Sequence, residues 1–457
     1  MEIIANNLKS QIITDNPKLL KALRDIYTFR VKGANYSPQY RSGRWDGKKS
    51  FITASGQFKT GLLSDILEKL TKIECYPDIT DNRSVESIDI KNVEGFTYYD
   101  YQEALIKQGL VKRGAILKSS TGSGKTLIMA GLIKSLAPRK MVILFHQKQI
   151  LKQAYDFFIE CGLENIGLNF GEGFIYGDIM LSTVQSIEKI LDTHLTDAEV
   201  LMVDEIHEFS SGGRLEAISS FPNAAYRIGL TATVPKDNIK KYSIMGAIGE
   251  VCEYYTTEEL IEQGVIAKPT IKVTKINYST DLQEEKFRDA YHSVYEEFIT
   301  NNNIRNNEIK SIVQENAIGD NRVAILVQSV EHGNILNKLI PNSEYISGKD
   351  SIKDRYKAIN KFIAGELSCL IGTNILQTGV NIKELSHIIN ARGLESDTAT
   401  LQALGRSLRI KGDKTKAVIY EFDDDIKYLH KHYNARKRHY KGENHTIEII
   451  KEIDYEE

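Results

Sequence analysis

Residues Ser119 to Thr126 read Ser-Ser-Thr-Gly-Ser-Gly-Lys-Thr, between a short apolar run, Ala115–Leu117, and an apolar-rich stretch from Leu127 to Leu136. That order of strand, small-residue turn and helix start commits the chain to a strand–loop–helix unit. Small side chains let consecutive backbone N–H groups converge, and the N-terminus of the following helix adds partial positive charge at the same point. Such a concavity suits a triphosphate. Ser120, Thr121, Gly122, Ser123 and Gly124 would cradle it, Lys125 would reach the β- and γ-phosphates, and the Thr126 hydroxyl would hold Mg²⁺. Ser119 stands where loops of this kind usually carry a first glycine, so the pattern departs there.

Around this unit, short apolar runs alternate with helical stretches. From about 91 to 268 the expected strands are Ala115–Leu117, Met141–Phe145, Ile179–Leu181, Val200–Val203 and Arg227–Leu230. Alternation of this kind predicts βαβ units and a parallel sheet covered on both faces, with ligands beyond the carboxyl ends of the strands. After Gly264 and Pro269 the pattern restarts. A long polar helical stretch, Gln283 to Gln314, precedes strands Val323–Val327, Cys369–Gly372, His387–Ile389 and Ala417–Glu421, with helices Asp354–Ala364 and Thr398–Leu404 between them. Residues 1–90 form a separate small α/β unit. In it, strands Ile12–Thr14 and Phe29–Lys32 flank a helix Asn16–Asp25, a further helix spans Gly61–Ile73, and the polar stretch Asp78–Ser87 leads out. The expected domains are therefore 1–90, 91–268 and 269–457, the last two being similar α/β halves that offer a cleft.

Several classes are excluded. Cys75, Cys161, Cys252 and Cys369 are far apart and form no C-x-x-C pair, which argues against a zinc site or disulfide framework and for a reducing cytoplasm. The longest apolar runs are strand-length, far short of the roughly 18 residues of a membrane span. Net charge is −2, so a nucleic-acid partner must be held by local patches.

Val200–Val203 runs into Asp204-Glu205-Ile206-His207. Paired carboxylates at a strand end downstream of a phosphate loop divide two tasks. Asp204 can hold Mg²⁺ through water, and Glu205 can orient and deprotonate the attacking water.

With these residues in place, the stretch from about 98 to 422 resembles the superfamily 2 helicases of the Asp-Glu-x-His type, its motifs standing in the family's order. The resemblance implies two tandem RecA-like domains, ATP and Mg²⁺ as cofactors, and DNA as partner. Tyr99-Asp100-Tyr101-Gln102 resembles the adenine-reading segment, with Gln102 pairing to the base and Tyr99 where the family frequently has Arg. Thr231-Ala232-Thr233 resembles the motif that couples hydrolysis to DNA movement, with Thr231, Thr233 and His207 as coupling residues. Gly372-Thr373 and Gln377–Asn381 resemble the motif touching nucleic acid and ribose, so that Thr373 meets the strand and Gly379 and Asn381 the nucleotide; Asn381 replaces the usual Asp. Gln402–Arg409 resembles the arginine-finger motif. Gln402 would orient, Arg406 and Arg409 are both finger candidates, Arg409 is favoured, and the ranking stays open. His146 and Gln147, and Thr183 and Gln185, follow two strands of the first half and would contact phosphates and sugars without reading bases.

The flanks complete the expectation. Lys427–Lys441 holds six Lys/Arg, three His, three Tyr and no acidic residue, a composition suited to gripping phosphates through Arg436, Lys437 and Arg438 or to a solvated helix face. Phe29–Phe51 is basic and aromatic, and its Trp45 either caps the small core or forms part of a junction-binding surface. A small domain ahead of two lobes and a basic tail behind them resembles the phage branch-migration helicases. The expected activity is ATP-dependent 3′→5′ unwinding of forked or branched DNA, by a motor sufficient as a monomer, in the host cytoplasm if phage-encoded. An RNA helicase with the same motor, or a DNA-binding scaffold with a vestigial ATPase, are the alternatives.

Overall fold

The computed structural model describes residues 1–83, 87–120, 122–171, 173–190, 197–263, 265, 270–319, 321–373, 385–395, 418–442 and 445–455. Two compact units emerge, one comprising Met1–Ser120 with Gly124–Thr256, the other Thr121–Ser123 with Thr257–Glu457.

The N-terminal part of the first unit holds six short strands: β1 Glu2–Ala5, β2 Lys9–Ile13, β3 Thr28–Arg30, β4 Lys48–Ser50, β5 Gln57–Lys59 and β6 Asp78–Asp81. β5-β2-β1-β6 form one sheet, and β3 pairs with β4. The helix Pro17–Ile26 starts where its sequence says it should: Asn16 Oδ1 accepts from Leu19 N–H at 3.1 Å, and Pro17 occupies the first turn, where no N–H is needed. The polar exit segment is partly β6, parallel to β1 and exposed along its length. An edge strand held by backbone pairing leaves no apolar alternation to read.

This small domain is not a separate body. Its core residues Ile3, Ile12, Tyr27, Ile66 and Leu70 belong to one buried cluster with Leu144, Leu201, Ile244 and Met245. Phe29 stacks on Tyr242 at 5.1 Å, Lys49 Nζ donates to Ser243 Oγ at 3.2 Å, and Lys59 Nζ to Ser219 Oγ at 2.8 Å. Gly61 marks the closest approach, since a Cβ there would come within 2.1 Å of the Met245 carbonyl oxygen.

The larger sheet of this unit is built from β7 Gly114–Lys118, β8 Met141–Phe145, β9 Ile166–Phe170, β10 Gly173–Ile175, β11 Ile179–Thr183, β12 Val200–Val203, β13 Tyr226–Thr231 and β14 Glu250–Glu253. Their order is β10-β9-β11-β8-β12-β13-β7-β14, parallel except for β10 against β9. All five strands expected from the apolar runs form the interior of this sheet. β9, with its Gly and Asn, and the charged β14 lie toward its edges. β8, β11, β12 and β13 are buried at every position, as helices on both faces require.

In the second unit β15 Thr270–Asn277, β16 Arg322–Leu326, β17 Ser343–Ile346, β18 Cys369–Gly372, β19 Leu385–Asn390, β20 Val418–Asp424 and β21 Thr446–Asp454 form a parallel sheet. The order is β17-β18-β16-β19-β20-β15-β21. The expected long polar helix is broken instead. Helix Tyr291–Tyr295 runs into a π-helical turn, Glu296–Thr300, and Asn302 caps a new helix, Asn303–Asn316, by accepting from Arg305 N–H at 3.0 Å. The basic stretch is a helix, Lys427–Gly442, and it is the crossover from β20 to β21. Helix Thr398–Leu404 lies outside the described residues.

Candidate active site

Sheet order brings the first-unit motifs together. β13 lies between β7 and β12, so the loop after β7, the carboxylates after β12 and Thr231 at the end of β13 share one rim. Three neighbouring strand ends span roughly 10 Å at ordinary strand spacing. Ser119 N–H donates to Thr231 O at 3.0 Å, which ties the base of the loop to the end of β13.

The loop has the backbone its residues allow. Gly122 and Gly124 sit at φ +88 and +82, in the left-handed region. Gly124 also admits close packing: a Cβ there would meet Gln102 Nε2 at 2.5 Å. Helix Lys125–Leu136 then begins, putting Lys125 and Thr126 in its first turn.

Glu205 has φ 47 and ψ 55, a left-handed conformation that is uncommon for a glutamate. This turn places the carboxylate between two partners. Lys125 Nζ stands 3.4 Å from Oε1, and His207 Nδ1 stands 3.3 Å from Oε2. The His207 nitrogen is also 2.9 Å from Thr231 Oγ1. Thr231 donates its own hydroxyl hydrogen to Thr233 O at 2.8 Å, so the network assigns the Nδ1–H donor to His207. Lys125, Glu205, His207, Thr231 and Thr233 thus form one continuous polar chain. Burial works to raise the Glu205 pKa, but the Lys125 ammonium and then His207 outweigh it and hold the carboxyl well below the usual range.

Asp204 is 9 % exposed, at the end of a fully buried strand. An oxygen pair from a hydroxyl and a carboxylate, Thr126 with Asp204, is chemically suited to a hard divalent cation. Gln102 is buried, and its Oε1 accepts from Tyr99 N–H at 3.0 Å, closing the first turn of helix Asp100–Lys112. Tyr99 is exposed, with its ring stacked on Tyr101 at 5.8 Å.

The strand-contact candidates of the first unit also assemble, because β8 and β11 are adjacent with Phe145 opposite Thr183. His146 and Gln147 follow one strand end, Thr183 and Gln185 the other. Thr183 is buried and bonded to Ser186 at 3.1 Å, whereas Gln185 is exposed. Burial pushes the His146 pKa below its ordinary value, against the opposing pull of Glu205 and Glu208; its Nδ1 is buried with no hydrogen-bond partner among the described residues.

In the second unit Thr373 follows β18. Gly379, Asn381, Gln402, Arg406 and Arg409 lie outside the described residues, as does Thr121. The basic helix requires a correction. Leu429, Tyr433, Arg436 and Tyr440 are its buried face. Arg436 lies 2 % exposed against Glu421, Nη2 to Oε2 at 2.9 Å, with Nη1 donating to Leu394 O at 2.5 Å. Arg436 is therefore a core ion pair and not a phosphate contact. Lys437 is half-buried over the Tyr433 ring at 5.5 Å, and Arg438 is exposed. Trp45 is half-buried outside the core cluster, and its Nε1–H donates to Lys48 O at 2.7 Å within its own turn.

Sequence reasoning missed the left-handed Glu205 and the Gln102–Gly124 packing, both set by backbone geometry that residue types alone do not declare.

Comparison with known proteins matches residues 95–236 to the type III restriction enzyme res subunit family, 305–411 to the helicase conserved C-terminal domain and 7–77 to the N-terminal domain of DNA helicase UvsW. The chain is 25% identical over 452 residues to the ATP-dependent DNA helicase uvsW of Enterobacteria phage T4, covering 91% of this chain and 89% of that one. It is 22% identical over 443 residues to the DNA 3′-5′ translocase XPB2 of Sulfurisphaera tokodaii, covering 86% and 96%. Among solved structures, S. cerevisiae Dbp5 bound to RNA and ADP BeF3 superposes with a TM-score of 0.58 at 16% identity, covering 79% of this chain and 90% of that one, which is a likeness of fold. With two parallel-sheet RecA-like domains, a small N-terminal domain and the ATPase motifs on adjoining strand ends, the chain belongs to the superfamily 2 helicases.

Proposed function

We propose that this chain is an ATP-dependent DNA helicase that moves 3′→5′ and unwinds or branch-migrates forked and branched DNA in recombination, replication or repair. The observation that carries the reading is the polar chain from Lys125 through Glu205 and His207 to Thr231. It joins the phosphate loop, the water-activating carboxylate and the coupling motif.

Binding begins at the loop, where N–H groups and the helix N-terminus receive the phosphates. A triphosphate there takes up contacts of the Lys125 ammonium. Loss of that cation raises the proton affinity of Glu205, so the carboxylate becomes a stronger base when substrate is in place. Thr126 and Asp204 are the residues that would hold Mg²⁺, which when bound neutralises charge on the β- and γ-phosphate oxygens. His207 then carries any shift of Glu205 to Thr231 and Thr233. In this reading Gln402 orients, and Arg406 and Arg409 are the finger candidates that would stabilise the transition-state charge, with Arg409 favoured. A monomer suffices, and the place of action is the cytoplasm, that of the host if the chain is phage-encoded.

ATPase rate with no nucleic acid, duplex DNA, forked DNA and RNA tests the proposal. The expected result is strong stimulation by forked or single-stranded DNA and weak stimulation by RNA. Equal rates in all four would rule out a nucleic-acid motor, and a preference for RNA would transfer the motor to RNA.

A further inference from the structure

Strand β19 ends at Asn390, and the chain turns through Ala391–Leu394. Three side chains from elsewhere in the second unit hold the carbonyls of that turn. Arg305 Nη1 donates to Ala391 O at 3.3 Å, His432 Nδ1 to Gly393 O at 3.0 Å, and Arg436 Nη1 to Leu394 O at 2.5 Å. Both arginines are themselves fixed by buried carboxylates, Arg305 by Asp424 at 3.4 Å and Arg436 by Glu421 at 2.9 Å. Gly393 sits at φ +64, and a Cβ there would lie 3.0 Å from Ile299 Cδ1, so the turn is packed as well as bonded.

What this held turn presents is Arg392. The residue is 6 % exposed. Its Nη2 donates to the carbonyl oxygen of Thr373, which follows β18 on the far side of β16. Its Nε is buried with no hydrogen-bond partner, and no carboxylate pairs with it among the described residues. The contrast with Arg305 and Arg436 is chemical. Those two cations are neutralised where they lie, whereas Arg392 has no compensating carboxylate among the described residues, and a buried charge so placed costs stability. A methionine would fill such a place at lower cost, so packing alone does not account for the charge.

We infer that Arg392 is a positioning residue for the nucleic-acid contact at Thr373, fixing the Thr373 carbonyl at the end of β18 and supplying the local positive field that draws a backbone phosphate to it. The inference rests on the helicase reading, in which Thr373 touches the strand. It also gives the basic helix a role other than gripping DNA: His432 and Arg436 hold the turn from which Arg392 reaches out.

The test uses the full chain and an oligothymidylate. ATPase is titrated against the oligonucleotide for wild type, Arg392→Met and Arg392→Lys, beside thermal melts. For Arg392→Met the concentration for half-maximal stimulation rises about tenfold, while the rate at saturation falls much less and the melting temperature stays or rises. The salt slope of binding falls by up to about one. Arg392→Lys recovers part of the affinity, because it keeps the charge and loses the planar fork. Half-saturation of Arg392→Met within twofold of wild type overturns the inference. So does a lowered melting temperature with rate and affinity failing together, which marks a structural residue. A wild type that no DNA stimulates removes the helicase reading itself and takes this inference with it.

Discussion

At the scale of single residues, the site separates binding from hydrolysis. Lys125 pairs with Glu205, and on the proposed function it would also be the loop's phosphate ligand, whereas Glu205 would act on water. Lys125→Ala is expected to bind ATP poorly and to lose turnover by at least about 100-fold. Glu205→Gln is expected to bind ATP with near-normal affinity and to lose turnover by about 10²- to 10⁴-fold. Equilibrium binding of a fluorescent ATP analogue beside steady-state ATPase checks the pair. Wild-type turnover in Glu205→Gln would remove the base assignment. The motif alone was enough to single out these two residues as candidates. Their geometry was not legible, because nothing in the letters Asp-Glu-Ile-His declares a left-handed Glu205 or the bond from His207 to Thr231.

Among elements, the instructive case is helix Lys427–Gly442. Composition pointed to a nucleic-acid grip, and the periodicity of Leu429, Tyr433, Arg436 and Tyr440 points inward. A one-turn spacing of three and four residues was present in the sequence, but an arginine within it reads as surface until its partner is known. That partner, Glu421, lies in β20, where the sequence shows an acidic residue within an apolar strand. Arg436→Met, which leaves Glu421 buried and unpaired, is expected to destabilise the second unit by about 3–5 kcal/mol. Arg438→Ala, at an exposed position, should change stability by less than about 0.5 kcal/mol. Urea melts of the two variants decide between a core role and a surface role. Strands followed a similar rule of legibility. β8, β12 and β13 announced themselves by continuous apolar runs. β6 and β21, mostly exposed, are held by backbone pairing and carry no such run.

Over the whole molecule, the tandem arrangement of two parallel sheets was readable because each restarts the same alternation of strand and helix. Fusion of the N-terminal domain with the first lobe was not, since Phe29 and Tyr242 lie far apart in sequence and meet only in the fold. The consequence is that the small domain moves with the lobe that binds ATP, through a shared core and the close approach at Gly61. Whatever DNA geometry it meets is met by the body that carries Lys125 and Glu205.

On the proposed function, ATP hydrolysis at the Lys125–Glu205 site drives strand separation. Displacement of a labelled strand from a forked duplex tests it most directly, comparing wild type with ATP, wild type with a non-hydrolysable ATP analogue, and Glu205→Gln with ATP. ATP-dependent displacement by wild type is expected, and none in the other two reactions. Displacement at the wild-type rate by Glu205→Gln, or with the analogue, would contradict it.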